Sequence, residues 1–102
     1  MWTLPFAPTY GSNQNATAST TPASITLNKG DTSVRVLNTG AQTLYVRIGQ
    51  STNASLTSAT TDLPVRPSSE IIIRKGNNDD TLYYRSDSST TACSFMTGNG
   101  GV

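Results

Sequence analysis

The sequence has no histidine and only one cysteine among its 102 residues. Nucleophilic catalysis by serine or cysteine usually relies on a histidine base, and zinc sites draw on several cysteine and histidine ligands. Cys93 has no partner for a disulfide within the chain, so we expect it to be a buried apolar thiol. These absences predict a protein without triad-type catalysis, without a metal site and without a cofactor.

Charge is also scarce, since only 13% of the residues are charged and the net charge is +1. Lysine and arginine are scattered along the chain rather than clustered. Such a chain has no long-range field with which to attract phosphates or an anionic bilayer. The longest apolar run, Ile71 to Ile73, is far too short to cross a membrane, and no signal peptide is predicted. We therefore expect neither nucleic acid nor membrane as a partner.

The acidic residues do not suggest a catalytic pair. Most of them lie in predicted turns or at strand ends, and only Asp62 and Glu70 leave a remote glycosidase reading open. Asp79 and Asp80 follow two asparagines, a combination that could bind calcium but is more typical of a turn. The sequence therefore predicts a protein that is not an enzyme.

No segment has the ten or more residues of helical periodicity that a stable helix needs. From Ile25 onward, short alternating runs predict about seven strands and an all-β, antiparallel β-sandwich of jelly-roll or immunoglobulin-like topology. The alternation places Val34, Val36, Leu44, Val46 and Ile48 on inward faces, with Arg35, Tyr45 and Arg47 pointing outward. The links 28–31, 38–42 and 76–80 have the composition of hairpin turns.

The first 22 residues differ from the rest of the chain. They contain three prolines and a polar stretch, and they show no hydrophobic period. The sequence therefore predicts an extended N-terminal arm over 1–22, a sandwich domain over 23–98 and a flexible glycine-rich tail over 99–102. The arm carries Trp2, Phe6 and Tyr10, whose rings would be costly to leave in water. We expect them to bind a neighbouring protein.

Several short motifs resemble a group of small tailed-bacteriophage virion proteins. They are Val34-Arg35-Val36-Leu37-Asn38-Thr39-Gly40, Leu44-Tyr45-Val46-Arg47-Ile48-Gly49, Ala59-Thr60-Thr61-Asp62-Leu63-Pro64-Val65 and the glycine-rich end Met96 to Gly101. The resemblance covers about residues 32 to 101. Ser68 and Ser69 stand where the pattern has a glycine turn, and the N-terminal arm has no counterpart.

The resemblance implies a head decoration, or cement, protein. Such a protein is made in the host cytoplasm, sits on the outside of the phage head and clamps major capsid protein subunits, often as a homotrimer. We expect its protein interface to include Trp2, Phe6, Tyr10, Tyr45 and Arg47. A tail, connector or fibre component is the alternative within the virion. A carbohydrate-binding or adhesin module is another, because Tyr45, Tyr83 and Tyr84 could stack on sugars.

Overall fold

A computed structural model describes residues 5–50 and 62–101, and this part of the chain is all-β. It contains nine strands: β1 (Ala7–Pro8), β2 (Gln14–Ala18), β3 (Ala23–Thr26), β4 (Ser33–Asn38), β5 (Leu44–Gly49), β6 (Leu63–Val65), β7 (Ser69–Arg74), β8 (Thr81–Ser86) and β9 (Thr91–Asn99). The seven strands predicted from Ile25 onward correspond to β3 to β9. The other two strands come from the segment that was expected to be an arm.

The strands form two antiparallel sheets that pack together. In the first sheet the order is β1-β9-β4-β7, with β2 also paired to β9, and in the second sheet it is β3-β8-β5-β6. The pairings β2 with β9, β3 with β8 and β5 with β6 are nested, and β7 stands beside β4. This is the pairing order of a jelly roll, in which a long antiparallel ribbon is rolled into a sandwich. The all-β sandwich prediction is confirmed, and the jelly-roll alternative is the one observed.

The core lies between the sheets and follows the alternation read from the sequence. Val34 and Val36 of β4 face Leu44 and Val46 of β5 across the sandwich, and all four are buried, as expected. Tyr84 of β8 packs on Phe95 of β9 with ring centroids 5.1 Å apart. Ile48 is only partly buried but packs against the same cluster. Alternation alone therefore identified the part of the core that β4 and β5 contribute.

The three predicted hairpins are wrong, because each link crosses from one sheet to the other. β4 pairs with β7 and β9, whereas β5 pairs with β6 and β8, so residues 39–43 connect the two sheets. Residues 27–32 and 75–80 do the same between β3 and β4 and between β7 and β8. Turn composition predicts where the chain reverses direction, but it does not predict which two strands are hydrogen-bonded to each other.

The expectation of a detached arm over 1–22 does not hold for the described residues of that segment. β2 pairs along β9 from Gln14↔Phe95 to Ala18↔Thr91, and Ala18 is buried in the core. β1 pairs with the far end of β9. The strand was missed because Gln14-Asn15-Ala16-Thr17-Ala18 has no large apolar residue, and this edge position needs only small inward side chains.

The glycine-rich end is also bound to the domain rather than being a free tail. Asn99 belongs to β9, and its Oδ1 accepts a hydrogen bond from Thr32 Oγ1 at 2.9 Å. The carbonyl of Gly100 accepts a hydrogen bond from Ser33 Oγ at 2.8 Å. The domain therefore extends through residues 5–22 and beyond residue 98.

Ser68 stands at the position where the sequence resemblance led us to expect a glycine turn. Ser68 has a φ of 57°, in the left-handed region that glycine adopts without strain. It lies in the short turn between β6 and β7. The turn therefore has a backbone conformation that favours glycine, although a serine occupies it.

Candidate protein-interaction surface

The structure separates the residues that were predicted to form one interface. Trp2 lies outside the described residues. Phe6 and Tyr10 lie beside the first sheet, next to the end of β9, whereas Tyr45 and Arg47 lie on the outer face of the second sheet. The predicted set therefore consists of two surfaces, one on each sheet.

Tyr10 is the most exposed large hydrophobic side chain of the described residues, at 86% of its full accessibility. It lies in a tight turn in which Ser12 N donates to Thr9 O at 3.1 Å. The next residue, Gly11, has a φ of +86°, which favours glycine. The turn thus presents an aromatic ring to solvent at its tip.

The turn is fixed to the sandwich on both sides of Tyr10. Thr9 N donates to Thr97 O at 2.9 Å, and Thr97 N donates to Ser12 Oγ at 3.2 Å. Ser12 Oγ in turn donates to Thr9 O at 2.5 Å. Since Thr97 lies in the central strand β9, the turn is held by a rigid part of the fold. Tyr10 is therefore an exposed ring on an ordered support.

A carboxylate from the β3–β4 connection also holds this turn. Thr9 Oγ1 donates to both oxygens of Asp31, at 3.0 and 2.9 Å, and Asn28 Nδ2 donates to Oδ2 at 3.3 Å. Burial acts to raise the pKa of Asp31, but the neighbouring hydroxyl and amide groups outweigh it, so the pKa lies below its ordinary value of 3.8. The Thr97 hydroxyl also favours the charged form, although its position falls outside hydrogen-bond geometry.

A buried lysine supports the connection that carries Asp31. Lys75 is almost completely buried, and its Nζ donates to the carbonyls of Lys29 at 2.9 Å and Gly76 at 3.0 Å. Burial lowers the pKa of Lys75, whereas the negative charges of Asp79 and Asp31 act to raise it. The cation therefore ties the connection 27–32 to the start of the β7–β8 link, and it favours the charged form of Asp31.

Phe6 packs on its own domain instead of standing free. An ideal Cβ at Gly98 would lie 2.8 Å from the Phe6 ring, and one at Gly101 would lie 2.9 Å from Phe6 Cβ. Ile72 Cδ1 is the next neighbour of the Gly101 position, at 3.1 Å. The two glycines thus leave the space that the Phe6 side chain occupies. Phe6 is half-buried by these contacts, which account for the ring without a partner protein.

Tyr45 and Arg47 share the outer face of β5, two residues apart. Arg47 Nε lies 3.3 Å from Asp62 Oδ1, whose side chain is only 7% exposed. The cross-strand neighbours on β8 are Arg85 and Tyr83, and Tyr83 donates to the Gln50 carbonyl at 3.1 Å. This face combines tyrosine and arginine, two residue types enriched in protein interfaces.

A third surface was not expected from the sequence. It is a shallow groove of about 630 Å³ on the first sheet, and its lining contains Asn15, Thr17, Leu37, Thr39 and Ser94. The lining is neutral and consists of polar and apolar residues in equal number. No sequence signal marks it, because it forms only where β2, β9 and β4 lie side by side.

The thiol and the inner tyrosine are both core groups. Cys93 is buried, as expected, and burial raises the pKa of its thiol to about 11, so it is not a thiolate at neutral pH. Burial also raises the pKa of Tyr84. Within residues 5–50 and 62–101, no three histidine, cysteine or acidic residues are grouped so that they could hold a metal ion. The same residues contain no helix that could span a membrane.

Comparison with known proteins supports the fold but does not identify a family or a function. No protein-family model matches the sequence, and no curated protein sequence matches it. Among solved structures, the crystal structure of PirA is similar, with a TM-score of 0.58 and 12% sequence identity over 87% of this chain and 95% of that chain. At this identity the similarity shows a shared sandwich architecture alone.

Proposed function

We propose that this chain is a non-catalytic structural protein of a tailed-phage virion, a decoration protein that binds the outside of the head and stabilises contacts between subunits of the major capsid protein. The observation that carries the proposal is Tyr10, an 86% exposed ring on a turn that is hydrogen-bonded to β9 and Asp31. The phage-like motifs are the reason to place the protein in a virion, and the exposed Tyr10 is the reason to place its partner contact at this turn.

A fixed turn is better suited to tight binding than a free arm. Ordering a flexible segment of about twenty residues would cost on the order of 1 kcal/mol or more per residue. Here the turn is already ordered by its bonds to Thr97 and Asp31, so an aromatic anchor enters a partner pocket at little entropic cost. The proposed contact is therefore a preformed turn, in place of the extended N-terminal arm that the sequence predicted.

The outer face of the second sheet offers a second contact. Tyr45 and Arg47 stand there together, and Asp62 neutralises part of the arginine charge. With a net charge of only +1, many copies could pack on one shell without strong mutual repulsion. The homotrimer implied by the resemblance stays a prediction.

Substitution of Tyr10 tests the proposal on particles that lack the decoration protein. Tyr10→Ala should lower the affinity for the shell by roughly 2 kcal/mol, about thirtyfold, because an anchoring ring is lost. Tyr10→Phe keeps the ring and serves as the matched control. Occupancy is measured by quantitative gel analysis of sedimented particles over a protein titration. Equal occupancy of the Ala variant and the unchanged protein would refute the role of Tyr10.

Substitution of Tyr10 is a more specific test of this contact than deletion of residues 1–20. The deletion would remove β1 and β2, together with the buried Ala18, and would expose the edge of β9. Loss of binding would then report damage to the fold. Because Tyr10 is solvent-exposed, its replacement should leave the stability of the free protein unchanged.

Two other functions make different predictions. A tail, connector or fibre component would be present at a few copies per particle, whereas a decoration protein approaches the abundance of the coat protein. A carbohydrate-binding module is favoured by the neutral groove beside Asn15 and Ser94. It predicts glycan-array binding that is lost on Asn15→Ala, and Tyr45→Ala would test the outer face of the second sheet in the same assay.

A further inference from the structure

The strand β7 is an open edge with unusual apolar content. It pairs with β4 on one side, and within residues 5–50 and 62–101 no strand pairs with its other side. Three consecutive isoleucines, Ile71 to Ile73, lie at this edge, and none of them is fully buried. An edge strand presents backbone N–H and C=O groups that can pair with another chain.

The other sheet edges are less suited to pairing. β6 has only three residues, and Pro64 at its centre has no N–H to donate. β3 has four residues and follows Pro22, and β2 has five small or polar residues. The six-residue β7 is therefore the longest and most apolar of the four edges.

The sequence of β7 is complementary to itself in one antiparallel register. When Ile72 is placed opposite Ile72 of a second copy, Ile71 lies opposite Ile73, and Glu70 lies opposite Arg74 at both ends. Glu70, Ile72 and Arg74 alternate on the outer face of the sheet, so both ion pairs form on that one face. If the pairing is centred on Ile71 or Ile73 instead, Glu70 and Arg74 lie opposite uncharged residues, Gly76 among them. Neither of these registers forms the two ion pairs.

We propose that β7 is the contact of a twofold homodimer, in which two first sheets join edge to edge about Ile72. The contact is isologous, so it closes at two copies. Arg35 already pairs with Glu70 within the chain, through its Nε at 2.7 Å, and this holds the carboxylate on the outer face of the sheet. The half-buried Ile71 and Ile73 gain cover from the second copy.

This inference is independent of the proposed function, because it concerns the free protein in solution. It also departs from the homotrimer that the phage resemblance implies, since a twofold edge contact cannot generate three equivalent copies by itself. The molecular mass in solution distinguishes the two.

Charge reversal with complementation tests the register. The unchanged chain at about 1 mM, a concentration at which even a millimolar contact is half occupied, should sediment with an average mass between about 1.5 times and twice the 10.8 kDa chain mass. Arg74→Glu places Glu70 opposite Glu, and Glu70→Arg places Arg74 opposite Arg, so each variant alone should dimerise roughly tenfold more weakly. An equimolar mixture of the two variants restores opposite charges at both ends and should dimerise again. Arg66→Glu, which changes the same charge outside the strands, is the control and should dimerise normally.

A cysteine variant supplies an independent readout of geometry. Ile72→Cys should form an intermolecular disulfide under mild oxidation, because the two copies of position 72 face each other across the axis, whereas the buried Cys93 should not. A monomer at about 1 mM, a trimer, or a dimer that Arg74→Glu leaves unchanged would each overturn the proposal. Failure of the variant mixture to recover the dimer would overturn the Ile72 register.

Discussion

Asn38 is the side chain that joins the two sheets at the β4–β5 crossing. It is completely buried, and its Nδ2 donates to Gln42 O at 2.7 Å and Val65 O at 3.0 Å. Its Oδ1 accepts hydrogen bonds from Gly40 N at 3.2 Å and Thr91 Oγ1 at 2.7 Å. Both N–H groups and both lone pairs of the side-chain amide therefore have hydrogen-bond partners, which is the condition for burying such a group without penalty.

Replacing this amide should destabilise the protein strongly. Asn38→Ala removes all four of these hydrogen bonds, including the buried ones to Val65 and Thr91, and we expect a loss of about 2–4 kcal/mol in the free energy of unfolding. Urea denaturation followed by fluorescence measures it. Asn13→Ala, at an exposed position, should change stability by less than about 0.5 kcal/mol. Similar effects of the two substitutions would contradict the role of Asn38.

Asp31 predicts a dependence of stability on pH. Its folded-state pKa lies below the unfolded value of 3.8, so the folded state holds fewer protons at that site. The stabilisation is complete above pH 3.8 and is lost as the pH falls through the folded-state pKa. Asp31→Asn should remove this part of the acid destabilisation and cost about 1 kcal/mol or less at neutral pH. Urea titrations of both proteins at several pH values check this, and identical acid profiles would contradict it.

At the scale of elements, β1 and the glycine-rich end of β9 depend on each other. An ideal Cβ at Gly98 would lie 2.4 Å from the Ala7 carbonyl and 2.8 Å from the Phe6 ring. Any side chain at position 98 must therefore displace β1. The sequence made these glycines look like a flexible tail, because a glycine needed for close approach cannot be told from one that confers flexibility without its neighbour in space.

Gly98→Ala should therefore release β1 while the rest of the sandwich stays folded. We expect a loss of roughly 1–3 kcal/mol and faster proteolysis within residues 5–12. Gly30→Ala is the matched control, because a Cβ there meets nothing within 4 Å. Limited proteolysis with mass spectrometry measures the effect, and equal protection of residues 5–12 in both variants would contradict the packing of Phe6 on Gly98.

At the scale of the whole molecule, alternation predicted the strands of the sandwich but not their partners. Val34, Val36, Leu44 and Val46 are inside because β-branched and aliphatic residues alternate with polar ones, a local signal. Strand pairing in a jelly roll is nonlocal: Gln14 pairs with Phe95, and no short-range pattern encodes this. The hydrogen bonds between the Tyr10 turn and Thr97 are nonlocal in the same way, so the sequence could not predict them. It did predict that the Tyr10 ring is available to a partner.

The proposed contact through Tyr10 requires that the N-terminal segment is part of the folded monomer before it meets any partner. Amide hydrogen exchange of the free protein, resolved by residue with NMR, measures this directly. We predict that the ladder amides of β2, Gln14–Ala18, are protected in the absence of any partner because they pair with the central strand β9. Exchange of these amides at the rate of an unfolded chain would contradict the pairing of β2 with β9 and support a free N-terminal arm.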